Sequence, residues 1–161
     1  MQRDISKFLK RDHDQLDGIF REFQKGKREK DFVKAKGYFI RFKCDLLRHM
    51  ELEEEVLFSF YEKRSGKKEM GATSIMRQEH KRLRQIIHII HDKILEENFE
   101  IDEEEKELVL ILESHHIKEE ESLYPAIDIV TTEEEKKEIF SRLKNYHKEC
   151  CNACSKGKKK K

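Results

Sequence analysis

The stretch RHMELEEEVLF (residues 48–58) puts a histidine and a glutamate among residues that look buried. His49 and Glu53 are four residues apart, so a helix would stack them on one face, and Leu57 continues that face. The stretch SHHIKEEESLYP (residues 114–125) repeats the pattern. Buried imidazoles and carboxylates are costly unless their charge is compensated. A costly spacing that occurs twice therefore needs a physical cause.

The two stretches belong to a longer internal repeat. Within them, Glu119 aligns with Glu53, Leu123 with Leu57, Tyr124 with Phe58 and His115 with His49. Upstream, DHDQLDGIF (residues 12–20) aligns with EHKRLRQII (residues 79–87), and each is followed by its histidine–glutamate segment at nearly the same distance. Two similar helical hairpins packed face to face would bring six side chains to one level inside the protein: His13, His49, Glu53, His80, His115 and Glu119.

Composition supports a helical protein. Of 161 residues, 43% are charged and only 36% are hydrophobic, which favours long helices with solvated outer faces. One proline and six glycines provide too little turn chemistry for a protein of many strands. The 35 basic and 34 acidic residues nearly cancel, so the overall charge gives no reason to expect a nucleic-acid or membrane partner.

Apolar residues at helical spacing predict five helices. The first begins near Ile5 and stops at KGKREKD (residues 25–31), and the others cover about residues 31–65, 73–98, 102–125 and 133–149. Four long amphipathic helices with short loops form an antiparallel bundle. The predicted fold class is therefore all-α: an antiparallel up-down four-helix bundle with an additional C-terminal helix packed outside.

Three helix starts carry capping signals. Asp31 is expected to be the N-cap of the second helix. Asp102 with Glu105 predicts a capping box at the start of the fourth helix, and Thr132 with Glu135 predicts one at the start of the fifth.

We expect one domain over residues 1–149, with the core bundle at about 5–127, the fifth helix at about 133–149 and a flexible tail at 150–161. The tail combines lysines with Cys150, Cys151 and Cys154, which we expect to be exposed and reactive rather than zinc ligands. The N-terminal residues lack a secretion signal, and the apolar runs are too short to span a membrane. The cysteines do not form a disulfide framework, so the expected location is cytoplasmic.

The repeated pairs have the spacing of metal ligands. An imidazole and a carboxylate at positions i and i+4 can present a nitrogen and an oxygen to one point. Two such pairs on facing helices could surround two divalent cations. Imidazole and carboxylate ligands without thiolate suit iron or manganese, and zinc remains possible. His116 and Glu120 form an alternative pair, shifted by one residue from His115 and Glu119.

Other polar residues nearby are expected to have structural or solvated roles. His88 and His91 lie too far along their helix from His80 to join the same site. The remaining acidic residues of the two stretches are expected on the solvated flank: Glu54, Glu55 and Glu121.

The segments HMELEEEVLF (residues 49–58), EHKRL (79–83) and HHIKEEESLYP (115–125), together with His13, resemble the hemerythrin-like, or HHE cation-binding, domain over about residues 5–127. The resemblance implies a four-helix bundle around a non-haem di-iron site. It implies two iron ions (Fe2+/Fe3+) bridged by the carboxylates of Glu53 and Glu119 and by an oxo or hydroxo group, with manganese or zinc less expected. The terminal ligands would be His13, His49, His80 and His115.

The chain departs from the oxygen-carrying hemerythrins at two places. Those proteins have a fifth histidine one turn after the third-helix ligand, and an aspartate five residues after the fourth-helix histidine. This chain has Arg84 at the first place, and Glu119 followed by Glu120 around the second. One iron would thereby lose an imidazole and gain an open position, which argues against simple oxygen carriage.

The leading functional hypothesis is a protein that binds or senses oxygen, nitric oxide, peroxide or iron, with a small diatomic molecule or peroxide as its ligand. The alternative is a redox enzyme that detoxifies peroxide or nitric oxide, or that assists repair of iron centres. A role in metal storage or as a scaffold would follow if zinc were the native metal. No membrane or nucleic-acid partner is expected, although the basic tail could make weak contacts with anionic partners.

Overall fold

The computed structural model of the chain describes residues 4–66 and 71–156, with side chains up to residue 145. All regular structure in these ranges is helical, which confirms the all-α prediction. The helices are α1 (Ile5–Arg28), α2 (Phe32–Leu52), α3 (Phe58–Ser65), α4 (Ala72–Leu95), α5 (Asp102–Lys118), α6 (Tyr124–Val130) and α7 (Glu133–Lys156). Two π-helical turns, Glu53–Leu57 and Glu119–Leu123, join α2 to α3 and α5 to α6 without a break. The cysteine side chains of the predicted tail lie outside the described residues.

Two of the predicted caps are confirmed. The side chain of Asp31 accepts a hydrogen bond of 3.1 Å from the backbone N–H of Lys34. Thr132 and Glu135 form a reciprocal capping box, in which each side chain accepts from the backbone N–H of the other residue at 3.2 Å and 2.9 Å. Both pairs satisfy N–H groups that a helix start otherwise leaves without a partner.

The capping box predicted at Asp102 is wrong. Asp102 is the first residue of α5, and Ile101 is at the N-cap without a side-chain hydrogen bond. The carboxylates of Asp102 and Glu105 instead accept from the ammonium group of Lys27 at the end of α1. A contact with a cation on a neighbouring helix has therefore replaced the local cap.

The fourth predicted helix also extends further than expected. We placed its end at about Pro125, but α6 continues to Val130. Pro125 lies in the first turn of α6, directly after the second π-helical turn. Proline is tolerated in a first helical turn because its missing N–H would have no partner there. Asp128 in α6 accepts hydrogen bonds from the backbone N–H groups of Ile5 and Ser6, which joins α6 to the start of α1.

The helices pack closely into a bundle. At the α1–α2 contact, a Cβ atom added to Gly26 would lie 3.0 Å from the backbone nitrogen of Ala35, so a larger residue there would require the two helices to move apart by a few tenths of an ångström. The buried apolar side chains form two clusters. One contains Leu16, Leu46 and Leu83, and the other contains Leu9, Leu57, Met76 and Leu123.

A polar layer separates these two apolar clusters. On α1, His13 lies between Leu9 of one cluster and Leu16 of the other, and on α4 His80 lies between Met76 and Leu83. The histidines of α2 and α5 occupy the corresponding level. Helix α7 packs beside one cluster, to which it contributes the buried side chains of Ile139 and Leu143. No helix in the described ranges is long and apolar enough to span a membrane.

Candidate metal centre

All six side chains singled out in the repeat meet in this polar layer. Each of them is at most 1% exposed. Among the described residues, two groups have ligand atoms within 4.8 Å of one another. They are His13, His49, Glu53 and Glu119, and Glu53, His80, His115 and Glu119. Both glutamates thus belong to both groups, and each group has its own pair of histidines.

The two glutamates divide their oxygen atoms between the groups. Oε1 of Glu53 lies 3.4 Å from Nε2 of His49, and its Oε2 lies 3.3 Å from Nε2 of His80. Oε2 of Glu119 lies 3.3 Å from Nε2 of His13, and its Oε1 lies 3.0 Å from Nε2 of His115. Each carboxylate therefore presents one oxygen to each histidine pair, as a carboxylate that bridges two ions would do.

The histidine rings are oriented by an outer ring of carboxylates. In each histidine, Nδ1 faces a carboxylate of this outer ring. The distance is 2.8 Å in three pairs, His13 with Glu120, His80 with Glu54 and His115 with Glu79. It is 3.5 Å between His49 and Asp12. When Nδ1–H donates to a carboxylate, the lone pair of a neutral imidazole is on Nε2. Second-layer carboxylates orient metal-binding histidines in this way in many proteins.

The inward-facing nitrogens lie very close together. Nε2 of His13 and Nε2 of His49 are 3.1 Å apart, and those of His80 and His115 are 3.0 Å apart. Two lone pairs at this separation repel each other unless a proton or a cation lies between them. Neighbouring ligand atoms of an octahedral ion with bonds of about 2.1 Å are about 3.0 Å apart, so the observed spacing suits a cation.

Electrostatics in the layer also favour positive charge. Burial alone would lower the pKa of His80, but the carboxylates of Glu119, Glu53 and Glu54 reverse this effect and raise the pKa to about 11. Burial alone would raise the pKa of Glu119, but the surrounding histidines hold it well below its ordinary value. Oε2 of Glu53 and Oε1 of Glu119 are buried and accept no hydrogen bond from a described residue. Ionised carboxylates with unused oxygens, beside imidazoles that bind a metal once they lose their protons, fit iron, manganese or zinc.

The model of the hemerythrin HHE cation binding domain family matches residues 4–74 and again residues 71–156. This chain belongs to that family. The two matches divide the HHE chain as its internal repeat does, with one histidine–glutamate pair in each half, and they confirm the resemblance seen in the sequence. No curated protein and no solved structure matches the chain significantly.

The outer carboxylates of this HHE protein include one that we expected in solvent. Glu54 is half-buried, and its Oε1 accepts from Nδ1 of His80 at 2.8 Å and from the guanidinium of Arg84 at 2.9 Å. Burial would raise the pKa of Glu54, but these two hydrogen bonds lower it to about 2. The placement of Glu54 on the solvated flank was wrong, because the charge of Arg84 compensates for its partial burial. Glu55 and Glu121 are exposed, as expected.

Cations support two further outer carboxylates. Lys10 donates to Glu120 at 2.7 Å, and Lys118 donates to Glu79. Glu79 and Glu120 were not identified as members of an outer layer from the sequence. Each is adjacent to a histidine or glutamate of the centre, and the EH dipeptide of residues 79–80 matches the DH dipeptide of residues 12–13, where Asp12 has the same role. That repeated acid before histidine was the available signal.

The alternative pair shifted by one residue lies outside both groups. His115 and Glu119 are the residues that meet the other ligands, whereas Glu120 contacts Nδ1 of His13. The ring of His116 stacks on that of His13, with centroids 3.7 Å apart and planes at 13°. Burial and the neighbouring charge of His13 lower the pKa of His116 to about 2, so it is a neutral ring that packs against the centre.

Two other histidines of α4 lie away from the centre. His88 is exposed, and its Nδ1 lies 2.6 Å from the backbone oxygen of Arg84. His91 lies beside Asp92, with 3.5 Å between Nδ1 and the carboxylate.

The sequence reading missed Tyr124, which is fully buried in the centre. Its hydroxyl contacts Oε1 of Glu53 and lies 3.0 Å from Oε2 of Glu119, so its single proton can bond to either carboxylate. Burial, followed by the charges of these two carboxylates, raises the pKa of Tyr124 well above its ordinary value, so the hydroxyl retains its proton in the absence of metal. The signal was the repeat itself, which aligns this tyrosine with Phe58.

The π-helical turn explains how Tyr124 reaches the centre. Its backbone N–H donates to the carbonyl of Glu119, five residues earlier. The same bond joins Phe58 to Glu53 in the other half of the chain. An i to i+5 bond adds one residue to the turn and places residue i+5 over residue i. Turns of this kind occur often at functional sites.

Proposed function

We propose that this HHE protein binds two iron ions between Glu53 and Glu119, and that it binds or senses a small ligand there: oxygen, nitric oxide or peroxide. The observation that carries the proposal is the division of each glutamate's two oxygens between two histidine pairs. Because a bridging carboxylate offers one oxygen to each of two ions, the geometry supports two ions rather than one. Bound iron would supply one-electron redox chemistry and affinity for small ligands.

The protein's own groups have separate tasks in this proposal. The Nε2 atoms of His13, His49, His80 and His115 are the terminal ligands. The outer carboxylates hold the imidazole rings in the orientation that points Nε2 inward. The apolar clusters above and below the layer exclude bulk water, which strengthens electrostatic interactions inside it.

The proposed scaffold is an up-down antiparallel four-helix bundle. Its four members would be α1, the α2–α3 rod, α4 and the α5–α6 rod, with α7 outside. The contact of Lys27 at the end of α1 with Glu105 near the start of α5, and that of Ile5 with Asp128 in α6, support opposite directions for these two members. We place the protein in the cytoplasm on the basis of its few, clustered cysteines.

Metal analysis and ligand titration test the proposal. Protein purified without added metal should contain two iron ions per chain, and the reduced protein should change its optical spectrum when nitric oxide is added. Glu53→Gln is the matched negative control, since it removes one bridging charge and preserves side-chain volume. Zinc as the only metal, or one ion per chain, would refute the di-iron assignment.

The second candidate function is turnover of oxygen, peroxide or nitric oxide by the same centre. It is favoured by Arg84, which stands where oxygen carriers have their additional histidine and which bonds to Glu54 instead of to the central groups. An iron with one imidazole fewer would have a position open to water, peroxide or oxygen. Reduced wild-type protein should therefore oxidise in air irreversibly, and Arg84→His should shift it toward reversible oxygen uptake. Reversible uptake by the wild-type protein would reject turnover and restore the carrier.

A further inference from the structure

We infer that the two metal positions are chemically unequal, because the Tyr124 hydroxyl is an additional ligand on the His13/His49 side and no described residue offers such a group on the His80/His115 side. This inference rests on the proposed two-ion function. It assigns the binding of a small exogenous ligand to the His80/His115 side.

The hydroxyl of Tyr124 lies among the atoms of one group only. Its oxygen is 3.1 Å from Nε2 of His13, 3.5 Å from Nε2 of His49 and 3.0 Å from Oε2 of Glu119, and it contacts Oε1 of Glu53. These are the four inward atoms of the His13/His49 group. The distances to His13 and Glu119 match the separation of about 3.0 Å between adjacent ligands of one octahedral ion. The phenol oxygen therefore occupies the place of a fifth ligand.

The other half of the repeat has a ring without an oxygen at the same place. Phe58 bonds to Glu53 through its own π-helical turn, as Tyr124 does to Glu119. Its ring stacks on His80, with centroids 5.8 Å apart and planes at 18°. The guanidinium of Arg77 lies 5.2 Å from the centre of the Phe58 ring. Because phenylalanine has no donor atom, the His80/His115 group has four ligands from the protein and the other group has five.

The carboxylate oxygens show the same asymmetry. The oxygens that face Tyr124, Oε1 of Glu53 and Oε2 of Glu119, share the single proton of its hydroxyl. The opposite oxygens, Oε2 of Glu53 and Oε1 of Glu119, are buried and accept none from a described residue. Tyr124 would bind a ferric ion as the phenolate, with its proton released to solvent, as ligand deprotonation accompanies metal binding generally. The His80/His115 side would leave more positions for an outside ligand.

The repeat supplies matched variants for the test. Tyr124→Phe removes only the hydroxyl, and Phe58→Tyr adds one at the equivalent place in the other half. Tyr61→Phe is the control, since Tyr61 is a half-buried tyrosine that packs against an apolar cluster. Each protein is loaded with ferric iron, its iron content is measured, and its visible and resonance Raman spectra are recorded. Azide is the probe of the exogenous position.

With two irons per chain, the wild-type and Tyr61→Phe proteins should show a phenolate-to-iron charge-transfer band with tyrosine ring modes. Tyr124→Phe should lose the band completely and retain its iron, and Phe58→Tyr should gain intensity and bind azide more weakly. If Tyr124→Phe fails to fold, ring-deuterated tyrosine in wild-type protein decides the point, because the enhanced modes must then shift. A wild-type protein with two irons and no phenolate modes would overturn this inference and leave the di-iron function intact. An iron content of one or none would refute the proposed function itself.

Discussion

Removal of metal should destabilise the fold, by an amount that follows from the polar layer. Without a cation, Oε2 of Glu53 and Oε1 of Glu119 remain buried without a well-directed hydrogen bond, although Nε2 of His80 and of His115 lie 3.3 Å and 3.0 Å from them. Each such group costs about 1–3 kcal/mol. From the binding side, each ion present at a hundred times its dissociation constant stabilises the folded state by about 2.7 kcal/mol. The first route gives about 2–6 kcal/mol and the second about 5 kcal/mol for two ions, so we take about 5 kcal/mol.

This free energy predicts a large thermal shift. For a domain of this size, each 1 kcal/mol moves the melting temperature by about 2–4 °C, so chelation should lower it by roughly 10–20 °C. Circular dichroism or scanning calorimetry on holo and chelated protein measures the shift. The double variant Glu53→Gln, Glu119→Gln is the control and should melt at one temperature with and without metal. Equal melting temperatures for holo and chelated wild-type protein would refute the buried bridging site.

Three further predictions concern the bridging and outer carboxylates, the proton of His80 and the packing of α1. Glu119→Gln should release both ions together, whereas Glu120→Gln, in the outer layer, should retain two ions with about 10–100-fold weaker affinity, as metal titration would show. Metal binding at pH 7 should release protons, because the pKa of His80 is raised to about 11 and its proton must leave before Nε2 can bind a metal. Calorimetry in buffers of different ionisation enthalpy should detect the released protons. The apparent metal affinity should rise with pH for the same reason. Gly26→Ala should destabilise the protein by about 1 kcal/mol because its Cβ meets the α2 backbone, while Gly18→Ala, with nothing within 4 Å, should stabilise it by up to about 1 kcal/mol in denaturant unfolding.

The inner centre could be predicted from the sequence because its determinants are local and duplicated. His49 and Glu53 are one helical turn apart, and α2 is a regular helix up to the residue where the π-helical turn begins. The spacing rule of an α-helix therefore applies to that pair. The repeat then selected His115 over His116, since only one register aligns Leu123 with Leu57.

Tyr124 could not be placed by the same rule. In an α-helix, residue i+5 points about 140° away from residue i, so the helical pattern directs Tyr124 away from Glu119. The π-helical turn instead brings Tyr124 back toward Glu119. Both halves of the chain contain such a turn, so comparing their sequences does not reveal it. The outer carboxylates were missed for another reason, since Glu54 is stabilised by Arg84 on a different helix.

The pattern of agreement and difference between the halves indicates where function is determined. The inner ligands, the outer carboxylates of their histidines and the π-helical turns are present in both halves. These shared features would hold the ions in the proposed function, and they lie between the two apolar clusters. The ring positions differ, with Tyr124 in one half and Phe58 in the other. Because a phenol oxygen can bind a cation and a phenyl ring cannot, this one difference between the halves would be sufficient to make the two proposed metal positions unequal.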